Sequence, residues 1–128
     1  ALLIGINYTG TRAQLKGCVN DVHNMRRLLQ ETMGWPGGPD TIRTLTDDDS
    51  RAMPTYQAII SGLQWLVKDA RAGDVLFLHY SGHGAQKPDP HGLEEDGMNE
   101  TILPIDFQSA GMITDDQISE IAVHYLPE

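Results

Sequence analysis

Residues 75–78 read Val-Leu-Phe-Leu, apolar at every position. Side chains of a strand alternate between faces, so such a run needs a covering layer above and below it. A second short apolar run, Ala1 to Asn7, and a short strand-like stretch, Thr41 to Thr46, accompany it. Between the runs lie two stretches of helical period. The first carries Val19, Val22, Met25, Leu28, Leu29 and Met33 within Cys18 to Met33, with Asp21 near its start, and is closed by Gly34. The second is N-capped by Thr55, presents Ile59, Ile60, Leu63, Leu66 and Val67, and stops at Ala72-Gly73 with Lys68 and Arg71 in its last turns. Strand, helix, strand, helix, strand with these connections predicts an α/β fold with a parallel sheet and right-handed crossovers. Asp74 to Tyr80 is the third strand, expected in the middle of the sheet. A polar loop to Asn99, an extended piece from Thr101 to Ile105 and a final helix led by Thr114-Asp115-Asp116 follow.

Crossovers on opposite faces give the local strand order 2-1-3. Strands one and three are then neighbours whose connections leave in opposite directions, and a crevice opens between their carboxyl ends, the usual ligand position in open α/β sheets. The loops meeting there, 7–21 and 80–84, bring His83, Cys18 and Asp21 near one another.

His83 stands between Gly82 and Gly84. Two glycines remove the neighbouring side chains, so a substrate backbone can approach the imidazole and the Gly84 amide is free to donate to a developing oxyanion. The competing reading is a tight turn that His83 merely caps. Cys18, the only thiol, suits either a dyad with His83 or a small apolar wall. Asp21, one helical turn later, suits either selection of a cationic side chain or stabilisation of a helix N-terminus. His79 falls within the strand and reads as a hydrogen-bonded core histidine; with no third ligand at the right spacing, zinc is not expected. No phosphate-binding or dinucleotide glycine pattern occurs.

The charge is unevenly distributed. Residues 1–88 hold eight acids and nine bases, whereas residues 89–128 hold ten acids and neither Lys nor Arg, within a total of −9. That balance argues against nucleic acid or an anionic membrane as partner, and the acidic stretch reads either as solvated loops or as a hard-cation site. No apolar run approaches the ~20 residues of a membrane span. A single cysteine and the absence of a leader pattern suggest a soluble monomer of a reducing compartment, the cytoplasm.

Five dispersed segments then act together: Ala1-Leu-Leu-Ile-Gly-Ile-Asn-Tyr, Leu15-Lys-Gly-Cys-Val-Asn-Asp-Val, Trp65-Leu-Val-Lys-Asp-Ala, Leu78-His-Tyr-Ser-Gly-His-Gly and Glu94-Glu-Asp-Gly. In content and order they resemble the metacaspases, caspase-like cysteine endopeptidases, most closely the fungal type I members. The resemblance implies a three-layer caspase-like fold and a domain represented only in part. It implies that His83 is the base of a Cys-His dyad and that Gly84 contributes its amide to the oxyanion hole. Cys18, Asp21 and Ser81 would line a pocket for the Arg or Lys before the scissile bond, which assigns Cys18 to substrate binding. The family's nucleophile belongs to an Asp-Ser-Cys-His-Ser-Gly run, which these 128 residues do not contain, so the remaining C-terminal part of the protein is an expected partner. A calcium site is implied at Asp115 and Asp116, with Asn99 at the position of a further aspartate and Asp96 or Glu100 as substitutes. The alternative is a noncatalytic caspase-fold pseudoenzyme or a calcium-responsive interaction module.

Overall fold

The computed structural model describes residues 1–38, 40–68, 70–88 and 98–123. Strand β1 (Leu2–Gly5) pairs in parallel with β2 (Arg43–Thr46) on one side and β3 (Leu78–Ser81) on the other, which gives the order 2-1-3. Helix α1 (Cys18–Glu31) and helix α2 (Tyr56–Val67) are the two crossovers.

They lie on opposite faces because the alternation of β1 divides its side chains into two cores. Leu3 packs with Val22 and Leu29 of α1, and with Ile42. Leu2 and Ile4 pack with Ile59, Leu63, Leu66 and Val67 of α2. All four residues of β1 are buried. Thr55 caps α2 as the sequence predicts, its hydroxyl accepting from the Ala58 N–H at 3.1 Å.

The helix ends differ from expectation. Helix α1 stops at Glu31, and Gly34, at φ 71°, turns the chain so that the Trp35 N–H donates to the Leu29 carbonyl at 2.9 Å. Of its apolar positions Val19, Val22 and Leu29 are buried, whereas Leu28 and Met33 are exposed. Helix α2 ends at Val67, with Lys68 already extended, so neither Lys68 nor Arg71 lies in its last turn.

The third strand is also shorter than its apolar run. It begins at Leu78, and among the described residues it pairs with β1 alone, as the order 2-1-3 requires. Asp74 is drawn into a turn, its carboxylate accepting from the Arg71 N–H at 2.8 Å, and Val75 is 73% exposed. Leu76 and Leu78 are exposed as well. A continuous apolar run signals cover on two sides, and among the described residues only one side of this segment has it.

A second, antiparallel sheet was not legible in the sequence. The stretch after His83, expected to be loop, forms β4 (Gly84–Pro88), which pairs with β5 (Met98–Ile102); β5 pairs in turn with β6 (Ile113–Thr114). Strand β5 starts before the extended piece expected at Thr101 to Ile105 and overlaps it at Thr101 and Ile102. A short helix α3 (Phe107–Ala110) precedes β6, and α4 (Asp115–Ile118) runs on into a π-helical turn at Ser119–Val123. Helix α4 starts with a capping box: Thr114 Oγ1 accepts from the Gln117 N–H at 3.2 Å, and Gln117 Oε1 accepts from the Thr114 N–H at 2.9 Å.

Candidate functional site

Strands β1 and β3 end level with each other, Gly5 opposite Ser81. The chain leaves β1 through residues 6–17 into α1, and leaves β3 through Gly82 and His83 into β4. The candidate residues gather at these two exits.

On the α1 side the first turn of the helix presses onto the sheet. A Cβ on Gly5 would stand 2.5 Å from Val22 Cγ2 and 2.6 Å from the Cys18 carbonyl oxygen, so only glycine admits the helix at this distance. Gly17, at the N-cap position, offers no side chain to the free N–H groups of the helix. Asn7 replaces it from the end of β1: its Oδ1 accepts from the N–H of Cys18 at 2.9 Å and of Val19 at 3.3 Å. Asn7 is itself held by Asp47, whose Oδ1 accepts from the Asn7 N–H at 3.0 Å.

This packing brings Asp21 to Ser81, whose hydroxyl donates to Asp21 Oδ2 at 2.9 Å. Asp21 is exposed, and its carboxylate keeps lone pairs open to a cation. Cys18 is buried beneath it and shares no hydrogen bond with His83 among the described residues. The structure thus joins Asp21 to Ser81 and leaves Cys18 buried and apart from His83.

His79 corrects an expectation. It points to the face of Leu3, its partner in register, and its Nε2 is buried with no hydrogen-bond partner among the described residues. Its neighbours on that face include the apolar cluster of Leu3, Val22 and Leu29.

On the other face His83 is fixed by its ring and by its backbone. Its Nε2 lies 2.6 Å from the Ala13 carbonyl oxygen. A carbonyl only accepts, so Nε2 carries the proton and the lone pair sits on Nδ1. The His83 ring lies against Tyr8, centroids 4.8 Å apart and tilted by 44°. The His83 N–H donates to Tyr8 Oη at 3.0 Å, and the His83 carbonyl accepts from Tyr80 Oη at 2.5 Å.

Gly82 therefore has a different use from the one expected. A Cβ there would meet Tyr80 Oη at 2.6 Å and Tyr8 Oη at 3.1 Å, so the space is filled by the two phenols and not kept for a substrate backbone. Burial raises the pKa of both hydroxyls above the ordinary tyrosine value.

Gly84 retains its expected freedom. The Leu103 N–H donates to the His83 carbonyl at 3.2 Å, which makes His83 and Leu103 a hydrogen-bonding pair of the hairpin. In an antiparallel ladder the next pair, Gly84 and Ile102, is then of the non-bonded kind, and the Gly84 N–H points away from β5.

Tyr8, Tyr80, Asn7 and the Ala13 carbonyl were not singled out from the sequence. Two tyrosines at the ends of buried strands are the signal that was there to read, since a buried phenol needs a partner for its hydroxyl.

The acidic segment divides by use. Asp106 Oδ1 accepts from the Tyr56 N–H at 2.7 Å and so serves the start of α2. Asp115 and Asp116 occupy the first turn of α4, where the helix dipole favours them. Asp116 is exposed, but Asp115 Oδ1 is buried without a hydrogen-bond donor among the described residues. An acceptor in that condition fits a cation ligand. Among the described residues no three His, Cys, Asp or Glu side chains converge as a metal cluster. Asp96 and the side chains of Asn99 and Glu100 lie outside the described residues. No described helix is long and apolar enough to cross a membrane.

The profile of the metacaspase, peptidase C14 domain matches residues 1–128. Metacaspase-1 of Yarrowia lipolytica is 50% identical over 129 aligned residues, covering 99% of this chain and 28% of that protein. Metacaspase-1 of Botryotinia fuckeliana is 52% identical, covering 98% of this chain and 30% of that protein. The chain thus spans about three tenths of the length of these relatives. A solved structure of a Geobacter sulfurreducens protein superposes with a TM-score of 0.67 at 29% identity, over 94% of this chain and 42% of that one.

Proposed function

Because the chain belongs to the metacaspase family of C14 peptidases, we propose that it is the part of a caspase-fold cysteine endopeptidase that supplies the base, an oxyanion donor and the specificity carboxylate. Peptide bonds following Arg or Lys are the substrates of this reading. The attacking thiol is carried by a segment of the protein outside residues 1–128. The observation that carries the reading is the 2.6 Å contact of His83 Nε2 with the Ala13 carbonyl oxygen, an acceptor that commits Nε2 to donating and leaves Nδ1 as the nitrogen to take a proton.

His83 Nδ1 removes the thiol proton, and the thiolate attacks the scissile carbonyl carbon. The carbonyl oxygen, now an anion, accepts from the outward-facing Gly84 N–H. As the tetrahedral intermediate collapses, the C–N bond breaks and the imidazolium returns its proton to the leaving amine. Water, deprotonated by the same nitrogen, then hydrolyses the thioester. Throughout, the Ala13 carbonyl holds the ring at one orientation.

Asp21, open on one side and held by Ser81 on the other, pairs with the substrate guanidinium or ammonium. Cys18 forms the wall beneath. Calcium belongs to the same proposal: Asp115, through its unpartnered oxygen, and Asp116 would hold it, with Asn99 as the third contributor. When bound, the ion offsets the charge of a segment with no base of its own.

The test is His83→Ala in the full-length protein, assayed with a fluorogenic peptide ending in Arg. Turnover should be abolished while the melting profile is retained. Near-normal turnover in the variant would remove His83 from the mechanism.

A further inference from the structure

The hydrogen bonds around His83 contain a break in a ladder. His83 faces Leu103 directly beyond the Gly84–Ile102 pair of the β4–β5 hairpin. A hydrogen-bonded antiparallel pair exchanges two bonds, N–H to carbonyl in each direction. Here one is made, from Leu103 N–H to the His83 carbonyl at 3.2 Å. The other is replaced by a relay: the His83 N–H donates to Tyr8 Oη at 3.0 Å, and Tyr8 Oη donates to the Leu103 carbonyl at 2.6 Å.

Tyr80 reinforces the first bond in the same way. Its Oη donates to the His83 carbonyl at 2.5 Å and accepts from the Leu103 N–H at 3.3 Å. Each phenol has one proton, and the two shortest contacts use both. The 3.1 Å approach of Tyr8 Oη to Tyr80 Oη therefore holds no proton of its own and persists because the Leu103 and His83 amides donate into it. Burial keeps both phenols protonated. Gly82 is the residue that admits them, since a Cβ there would collide with both oxygens.

We infer that Tyr8 and Tyr80 are positioning residues for His83: their hydroxyls wedge open the hairpin ladder at the His83–Leu103 pair and set where the imidazole stands. Tyr8 does this twice, because it also roots the loop that delivers the Ala13 carbonyl. The Tyr8 carbonyl accepts from Thr11 N–H at 3.1 Å and Thr11 Oγ1 at 2.7 Å, and the Thr11 hydroxyl accepts from the Ala13 N–H at 3.1 Å. The inference rests on the proposed role of His83 for its kinetic part and on the hydrogen bonds alone for its structural part.

Tyr8→Phe, Tyr80→Phe and the double variant test it in the full-length protein. Phenylalanine keeps each ring, and so the Tyr8–His83 ring contact, and removes only the oxygen. Tyr8→Phe strands the His83 N–H and the Leu103 carbonyl, whereas Tyr80→Phe leaves the direct Leu103–His83 bond in place; removing both oxygens clears the space for the His83 N–H and the Leu103 carbonyl to pair directly, closing the ladder by one step. The expected signature separates stability from rate. Each single variant loses ~10–100-fold in kcat at a KM within about twofold, the scale of a misplaced catalytic group. The double variant melts at or above the less stable single variant, yet its kcat is no higher than that of either.

A kcat that recovers with the melting temperature in the double variant, or a change in KM alone, would overturn the inference. Nitrogen chemical shifts of the His83 ring give the reading that needs no activity. The Nε2–H tautomer should dominate in the wild type and give way to a mixture in Tyr8→Phe; unchanged shifts would overturn the clamp. A wild-type protein that cleaves nothing, but shows these shifts, would refute the proposed function and leave the clamp standing.

Discussion

Replacing Gly5 by alanine should do more damage than the size of a methyl group suggests. The new carbon would lie 2.5 Å from Val22 Cγ2, 2.6 Å from the Cys18 carbonyl oxygen and 3.1 Å from its carbon, where relaxed contacts are about 3.5–4.0 Å. Valine is stiff at χ1, and the Cys18 carbonyl is backbone, so the first turn of α1 has to retreat by about 1 Å. Overpacking of this kind costs about 1–3 kcal/mol, and the upper part of that range applies when the obstruction is backbone. At about 2 °C per kcal/mol, the scale for a domain larger than these 128 residues, the melting temperature should fall by about 4–6 °C. The retreat also pulls on the Asn7 contact to the Cys18 N–H and on the Ser81–Asp21 bond, each 2.9 Å. The control is Gly62→Ala, whose Cβ would meet only the methyl ends of Leu2, at 3.0 and 3.2 Å. A helix-interior glycine gains up to about 1 kcal/mol on becoming alanine, which offsets the tighter contact and leaves the control near neutral. Thermal and urea unfolding of both variants in the full-length protein decides the matter. A Gly5→Ala protein as stable as the wild type, or more stable than Gly62→Ala, would refute the claim that α1 is seated through this glycine.

Asp21→Asn should lower kcat/KM for Arg and Lys peptides by at least about tenfold, a modest figure because the carboxylate is exposed before substrate covers it; an unchanged preference would place the selecting charge elsewhere. Calcium should stabilise the full-length protein at ~10⁻⁴–10⁻³ M, and an Asp115→Ala, Asp116→Ala double variant should lose that response; equal thermal shifts in both proteins would locate the ion elsewhere. With the Tyr8 and Tyr80 pKa values raised in the folded state, the unfolded chain releases those protons first, so stability is unaffected by them below pH ~10 and falls as pH rises beyond it. Tyr80→Phe should flatten that fall in urea midpoints taken from pH 8 to 11, and an identical slope would contradict the burial of its hydroxyl.

How far the sequence carried the fold depended on which interactions leave a pattern. The 2-1-3 sheet was legible because β1 and the two crossover helices are specified by apolar periodicity, and the Thr55 cap because N-cap chemistry is local. Strand β4 was not, since Gly84–Pro88 is held by backbone pairing to β5 and shows no alternation of apolar side chains. The run 75–78 misled for the opposite reason: apolar composition reports what a segment requires and not what covers it, and Val75 stands 73% exposed. At the site, residue types pointed to His83 and Asp21, and the family resemblance added Ser81. The contacts that orient them come from groups that side-chain identity does not advertise: the Ala13 carbonyl, the Asn7 amide acting eleven residues away on Cys18, and two phenols above Gly82.

Those contacts also divide the site in two. Gly5 and Ser81 share one face of the sheet with Leu3 and His79, the face that α1 covers, and there Asp21 is set. Tyr80 shares the opposite face with Leu2 and Ile4, and there, with Tyr8, His83 is held. Two short stretches pass from one arrangement to the other, Asn7–Tyr8 and Ser81 to His83. Perturbations on the α1 face, Gly5→Ala and Asp21→Asn, should therefore act on which peptides are bound. Those on the tyrosine face should act on how fast a bound peptide is cut. Double variants taken across the sheet should be additive within about 0.5 kcal/mol, as expected for sites with no shared partner, whereas the pair Tyr8 and Tyr80 should not. Strong coupling between Asp21→Asn and Tyr80→Phe in kcat/KM would show that residues 81–83 transmit strain between the faces, and that base and specificity pocket form one unit.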